Sequence, residues 1–140
     1  MSRIFITGSS AGLGLLAGRH LIGQGHEVVM HARTPEKARA LRTELPGAAE
    51  VLVADLESMA QTRALADSAN ALGRFDAVIH NAGVGDRGTD RLGPDGLPVV
   101  FAVNVLAPYL LTAVPRCTSA RGRRARAACG RTGAGGGGST

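Results

Sequence analysis

Three glycines near the start of the chain have a spacing that suits phosphate binding. They lie in Thr7-Gly-Ser-Ser-Ala-Gly-Leu-Gly14, spaced G-x-x-x-G-x-G between a β-rich run and a helical pattern. Gly8 allows a tight turn, Gly12 lets the backbone approach a pyrophosphate, and Gly14 lets the helix pack closely. The free N–H groups at the start of the helix would then face the phosphates. The segment predicts a dinucleotide-binding turn, and a plain Gly/Ser turn is the alternative.

A basic residue ends the second β-rich run. Dinucleotide-binding proteins that use NAD usually carry an acid there, which binds the ribose 2′-hydroxyl. The sequence His31-Ala32-Arg33 has no acid. Arg33 could pair with a 2′-phosphate, which favours NADP(H) over NAD(H). A solvated arginine before a helix is the alternative interpretation.

Two more polar clusters follow later β-rich runs. Asp55-Leu56 follows the third, and the Asp55 carboxylate could accept from an adenine amino group or simply shape a turn. Asn81-Ala82-Gly83 follows the fourth. Its small residues would let a cofactor lie against the backbone, and Asn81 supplies an amide. Because ligands of open parallel sheets bind beyond the carboxyl ends of the strands, we expect all four clusters to share one site.

The elements that must position these clusters alternate along the chain. Short β-branched runs predict strands at residues 3–7, 27–31, 50–54 and 76–80. Helical spacing of apolar residues predicts three helices between them, with Thr34 and Ser58 as N-caps of the second and third. This order predicts an α/β fold of three layers, a Rossmann-type parallel sheet with flanking helices. The predicted inner faces are Leu13, Leu16, Ala17 and Leu21; then Ala38, Leu41 and Leu45; then Thr62, Leu65, Ala66, Ala69 and Leu72.

The stretch from Leu97 to Val114 is apolar at nearly every position and approaches membrane-spanning length. Pro98, Asn104 and Pro108 argue against a helix that faces lipid. A buried or interface helix is therefore expected, with no membrane partner. The chain opens on Met1-Ser-Arg and an apolar run, without the pattern of a signal peptide, so we expect a cytoplasmic protein.

Composition divides the chain at about residue 115. Residues 116–140 hold six of the 16 basic residues, none of the 11 acidic ones, seven glycines and both cysteines. They contain no Leu, Ile, Val, Met or aromatic residue, so a disordered Arg/Gly/Ala-rich tail is expected after a domain at 1–115. A shifted reading frame is our hypothesis for this tail, and an evolved low-complexity tail is the alternative. The charge indicates no specific nucleic-acid partner, since no aromatic residue is interleaved, and no metal site is indicated.

The four motifs together resemble the short-chain dehydrogenase/reductase family. TGSSAGLG resembles its TGxxxGxG cofactor loop, Asp55-Leu56 its adenine-contact position and NAG the motif after its fourth strand. Asn104 matches the family's helix asparagine, which supports a water and proton relay. The resemblance thus implies Asn104 for catalysis and, for cofactor binding, Thr7, Gly8, Ser9, Ser10, Gly12, Leu13, Gly14, Arg33, Asp55, Leu56, Asn81, Ala82 and Gly83.

The family's catalytic serine and Tyr-x-x-x-Lys cannot be placed after Asn104. The only tyrosine is Tyr109, which has Ala113 four residues later, and the only lysine is Lys37. The resemblance therefore implies a C-terminally incomplete copy of an NADP-dependent oxidoreductase acting on a small carbonyl or alcohol. A non-catalytic NADP-binding module or pseudoenzyme is the alternative. The resemblance also implies a homo-oligomer that associates through the helix at 98–114.

Overall fold

The computed structural model describes residues 1–85 and 91–113, in which strands and helices alternate. The last helical stretch has an inserted π-helical turn, Ala102–Leu106. The predicted tail at 116–140, its disorder and the hypothesis of a shifted frame lie outside the described residues and stay predictions. The elements are β1 (Arg3–Ile6), α1 (Gly12–Gly23), β2 (Glu27–Ala32), α2 (Pro35–Glu44), β3 (Glu50–Val53), α3 (Met59–Ala71), β4 (Ala77–Ile79), α4 (Val99–Phe101) and α5 (Ala107–Ala113).

All four strands form one parallel sheet in the order β3-β2-β1-β4. Ile4 of β1 lies beside Val28 of β2 and Ala77 of β4. This order brings the ends of β1, β2, β3 and β4 to one edge, as parallel pairing requires. The predicted Rossmann-type sheet with flanking helices is confirmed.

The core consists of two apolar clusters, one on each face of the sheet. Side chains alternate along a strand, so Phe5 of β1 points to one face while Ile4 and Ile6 point to the other. The Phe5 face packs against α3 and α5 and includes an aromatic contact between Phe5 and Phe75, with ring centroids 5.7 Å apart. The opposite face packs against α2 and part of α1. Helices thus cover both faces, which explains why most strand positions are apolar.

The predicted inner face of α1 is only half right. Ala17 and Leu21 pack against the core as predicted, but Leu13 is 79% exposed and Leu16 57% exposed. The residues buried in α1 are Gly14 and Gly18. A Cβ on Gly18 would lie 2.5 Å from Met30 Cε, so the helix lies too close to β2 for large side chains at its centre. The absence of a side chain at Gly18 permits this close packing, and a pattern based on hydrophobic residues does not detect it.

The other helices begin and pack as predicted. Thr34 Oγ1 accepts from the Lys37 N–H and Ser58 Oγ from the Gln61 N–H, each at 3.3 Å. The predicted inner faces of α2 and α3 are confirmed. In residues 99–113 one face is buried, whereas Phe101, Val105 and Tyr109 are exposed. None of the helices in the described ranges is both long and apolar enough to cross a membrane.

Candidate functional site

An open cleft of about 360 Å³ lies where the carboxyl ends of the four strands meet. This is the position at which open α/β sheets bind ligands, and the volume falls within the range of small-molecule sites. Each of the four predicted clusters contributes to its wall. The lining residues are Gly8, Ser10, His31, Arg33, Lys37, Ala54, Asp55, Leu56, Glu57, Asn81, Ala82, Gly83, Val84 and Val103.

The glycine-rich turn between β1 and α1 depends on the absence of side chains. Gly8 has φ +60°, and a Cβ there would lie 2.6 Å from the Ala82 Cα. At Gly14, a Cβ would lie 2.5 Å from the side-chain nitrogen of Asn81. Gly12 also has a positive φ, but its missing Cβ would meet no atom within 4 Å. The outer turn therefore leaves open space at the start of α1, while its base is packed against the segment after β4.

Hydrogen bonds fasten this turn to the Asn81-Ala82-Gly83 segment. The buried hydroxyl oxygen of Thr7 accepts from the backbone N–H groups of Asn81 and Ala82, each at 3.1 Å. The Asn81 side-chain amide donates in return to the carbonyl of Gly8 at 2.9 Å. Two motifs that are 73 residues apart in the chain thus form one rigid wall of the cleft.

The end of β2 is tied to the same turn by Ser9 and His31. Ser9 Oγ is fully buried, donates to the Ile6 carbonyl and accepts from the His31 N–H at 2.8 Å. The His31 ring accepts at Nδ1 from the Gly8 N–H and donates from Nε2 to the Ala54 carbonyl, both at 2.9 Å. Burial lowers the pKa of His31, although the hydrogen bond to Ala54 and the charge of Asp55 act in the opposite direction. His31 is therefore neutral at neutral pH.

A cluster of charges closes one end of the cleft. Nη2 of Arg33 contacts the Asp55 carboxylate at 3.2 Å and the Glu57 carboxylate at 3.1 Å. Nη2 of Arg91 contacts the same Glu57 oxygen at 2.6 Å. The Glu57 side chain is only 7% exposed, and the hydrogen bond from Arg91 holds its pKa below the usual value. Arg33 and Lys37 are the cationic side chains that line the cleft in the described part of the chain.

Asn104 lies in the π-helical turn and holds Val84, which lines the cleft directly after Asn81-Ala82-Gly83. Its side-chain oxygen accepts from the Val84 N–H and its side-chain nitrogen donates to the Val84 carbonyl, both at 2.9 Å. A π-helical turn rotates the following residues relative to an α-helix and is frequent at functional sites. Here it accompanies an asparagine that pairs with both backbone groups of a residue lining the cleft. Asn104 itself is exposed and does not line the cleft.

The structure brings eight of the predicted site residues to the cleft, and the other six do not line it. Of these six, Gly12 and Asn104 are exposed. Thr7, Ser9 and Gly14 support the wall from within, and Leu13 is directed to solvent at the first turn of α1. Sequence reasoning missed His31 and Glu57, although each stands within two residues of a predicted one, which is the available signal. Among residues 1–85 and 91–113 no three His, Cys, Asp or Glu side chains are grouped as metal ligands. The residues at the cleft are Gly8, Ser10, Arg33, Asp55, Leu56, Asn81, Ala82 and Gly83.

Comparison with known proteins gives the same family from sequence and from structure. The family model described as short chain dehydrogenase matches residues 2–121. The chain is 51% identical over 123 residues to an uncharacterized oxidoreductase of Emericella nidulans, which covers 86% of the chain and 48% of that relative. It is 54% identical over 112 residues to a short-chain dehydrogenase of Penicillium rubens, covering 80% of the chain and 43% of the relative.

Among solved structures, a short-chain dehydrogenase from Sphingobium yanoikuyae in complex with NADPH superimposes with a TM-score of 0.67. That protein is 27% identical, and the match covers 81% of this chain and 46% of the other. The chain therefore spans somewhat less than half the length of the relatives that it matches.

Proposed function

Because the chain belongs to the short-chain dehydrogenase family, we propose that it forms the cofactor-binding part of an oxidoreductase. The cofactor is a nicotinamide dinucleotide, and the substrate class is a small carbonyl or alcohol. When bound, the nicotinamide would supply or accept a hydride. The observation that carries this proposal is the close approach of Gly8 to Ala82, with open space beside Gly12, at the edge of a cleft where all four strands end.

The residues present suit a dinucleotide in two respects. The open space beside Gly12 leaves room for a pyrophosphate against the backbone, and the first turn of α1 has no acidic side chain to repel it. Asn81, Ala82 and Gly83 form the wall continuous with that turn and would hold the cofactor against their backbone. We assign the orientation of the cofactor to these backbone surfaces, held rigid by Thr7 and Asn81.

We also propose that the protein prefers NADP(H) to NAD(H), because Arg33 could bind the 2′-phosphate. Both ion pairs of Arg33 use the one nitrogen Nη2, so Nη1 and Nε can still donate to a 2′-phosphate. Asp55 and Glu57 would orient the guanidinium while Lys37 adds positive charge at the same cleft wall. The relative from Sphingobium yanoikuyae, which holds NADPH, is consistent with this preference.

We expect Arg33→Ala to weaken NADPH binding about tenfold or more and to leave NADH binding nearly unchanged. A charge-assisted hydrogen bond contributes about 1.5–3 kcal/mol, and every 1.4 kcal/mol is tenfold in affinity. Fluorescence titration of the reduced nicotinamide measures both constants. Arg39→Ala is the matched control, because it removes the same charge from an exposed site of α2. Equal weakening of NADPH and NADH would contradict the proposed role, and saturable binding of neither cofactor would contradict the proposed function.

A second candidate is a module that binds the cofactor without catalysis. It is favoured by one observation, that both polar atoms of the Asn104 side chain bond to the backbone of Val84 and Asn104 does not line the cleft. Hydride transfer to a panel of carbonyl compounds, lost in Asn104→Ala, would support the oxidoreductase. NADPH binding without turnover would support the module.

Self-association through residues 99–113 is also proposed. Phe101, Val105 and Tyr109 are spaced i, i+4, i+8 and form an exposed apolar stripe. We expect the wild-type chain to sediment as a dimer or larger species, and Val105→Glu to shift it toward the monomer. Leu92→Glu, at another exposed apolar residue, is the control. A monomeric wild-type protein at micromolar concentration would contradict this proposal.

A further inference from the structure

His31 joins three strand ends and lines the cleft. Its backbone belongs to β2, its Nδ1 contacts the Gly8 N–H after β1, and its Nε2 contacts the Ala54 carbonyl after β3. Only 3% of the residue is exposed. The Gly8 N–H is a backbone donor of the turn whose conformation leaves the open space at Gly12. The position of that donor therefore depends directly on the state of the His31 ring.

The two contacts admit one protonation state of the ring. The Gly8 N–H can only donate, so Nδ1 must be unprotonated. The Ala54 carbonyl can only accept, so Nε2 must carry the hydrogen. The neutral Nε2–H form satisfies both contacts. In the imidazolium form, an N–H at Nδ1 would face the N–H of Gly8 at 2.9 Å, which replaces a hydrogen bond by repulsion between two donors.

We propose that His31 is a positioning residue for the dinucleotide. In its neutral Nε2–H form it holds the glycine-rich turn through Gly8, and its protonation releases the turn and weakens cofactor binding. This inference rests on the proposed function for its effect on affinity, but its effect on the turn is independent of any cofactor. The ring acts through Gly8 and takes no part in the chemistry of the substrate.

Burial sets the direction of the pKa shift of His31, and charged groups from several elements lie near the ring. Asp55 and Glu57 come from the segment after β3, Arg33 from the end of β2 and Lys37 from α2, and all line the same cleft. The turn at residues 7–14 contributes no titratable side chain. Burial dominates and lowers the pKa of His31 below that of an unfolded histidine, about 6.5. The unfolded chain therefore binds this proton first, so stability is lost as the pH falls from about 6.5 toward the folded pKa.

Two substitutions separate the ring's two contacts. The side-chain oxygen of asparagine can occupy the place of Nδ1 and accept from Gly8 without titrating. The side-chain nitrogen of glutamine can occupy the place of Nε2, which keeps the contact with Ala54 and loses that with Gly8. His80→Gln is the control, because burial also lowers the pKa of His80, which lies at the end of β4 and contacts Thr112.

The test is NADPH titration between pH 8 and pH 5 together with the amide resonance of Gly8 in cofactor-free protein. We expect wild type and His80→Gln to bind NADPH about tenfold more weakly at low pH than at high pH. His31→Asn should bind NADPH with a much flatter pH profile. Because the 2′-phosphate titrates equally with both proteins, this variant also controls for the phosphate. His31→Gln should bind NADPH weakly at every pH. The Gly8 resonance should titrate with the ring in wild type and not in His31→Asn.

The outcomes separate this inference from the proposed function. A Gly8 resonance that titrates with the ring, in protein that binds no NADPH, would support the hold of His31 on the turn and contradict the proposed function. A Gly8 resonance that does not follow the ring would overturn the inference. An equal pH profile of binding in wild type and His31→Asn would also overturn it, since the 2′-phosphate alone would then explain the dependence.

Discussion

Gly8→Ala is expected to lower the free energy of unfolding by about 2–5 kcal/mol and to abolish dinucleotide binding. A left-handed conformation costs a residue with a Cβ about 1–2 kcal/mol, and Gly8 has φ +60°. In addition, the new Cβ would lie 2.6 Å from the Cα of Ala82, a backbone atom that cannot rotate away. Overpacking of this kind costs about 1–3 kcal/mol. Urea unfolding measures the loss of stability, and NADPH titration measures binding.

Gly25→Ala is the matched control for this prediction. Gly25 also has a positive φ, +85°, but its missing Cβ would meet no atom within 4 Å. We expect Gly25→Ala to show the conformational term alone, about 1–2 kcal/mol, and to leave NADPH binding intact. Equal losses of unfolding free energy in the two variants would contradict the argument that contact with Ala82 adds to the cost at Gly8.

Thr7→Val is expected to lower the free energy of unfolding by about 2 kcal/mol or more and to weaken cofactor binding. Valine has nearly the same shape, so the change removes a hydroxyl and little volume. The N–H groups of Asn81 and Ala82 would both lose their acceptor. An unsatisfied buried donor costs about 1–3 kcal/mol, and these amides are partly buried. The same unfolding and titration experiments measure the result.

Thr62→Val provides the comparison at a second fully buried threonine. The Thr62 hydroxyl donates to the Ser58 carbonyl, which also accepts from the Thr62 N–H. The substitution therefore leaves no group without a partner, and we expect a loss below about 1 kcal/mol with unchanged NADPH binding. Equal losses at positions 7 and 62 would show that Thr7 does not hold the segment after β4.

The sequence was sufficient to predict the sheet because its signals are local. Each strand is a β-branched run, and each of α2 and α3 has a capping residue directly before it, so no distant contact was needed. The inner face of α1 could not be predicted in the same way. Leu13 and Leu16 follow the helical period, but the buried positions belong to Gly14, which packs against Asn81, and Gly18, which packs against Met30.

A motif can indicate single residues at the cleft, but it cannot indicate the contacts that those residues make across the sheet. Arg33 was singled out from its place after β2, but its pairing with Asp55 and Glu57 depends on how β2 and β3 lie together. Arg91 reaches Glu57 from 34 residues away, and no local pattern indicates such a pair. Ser9 stays a predicted cofactor contact, and no local pattern indicated that its hydroxyl bonds to the Ile6 carbonyl and the His31 N–H.

The alternation of Ile4, Phe5 and Ile6 between the two cores also constrains how this chain can change in length. Because successive side chains point to opposite faces, one inserted or deleted residue within β1 would exchange the contents of the two cores. The same event would rotate Thr7 away from Asn81 and move Gly8 off Ala82. The strand residues Arg3–Ile6 should therefore accept conservative replacements of side chains while rejecting every single-residue insertion or deletion. A scan of single-residue insertions and deletions, read out by folding, should find that β1 tolerates none and that tolerance begins in the solvent-exposed loops.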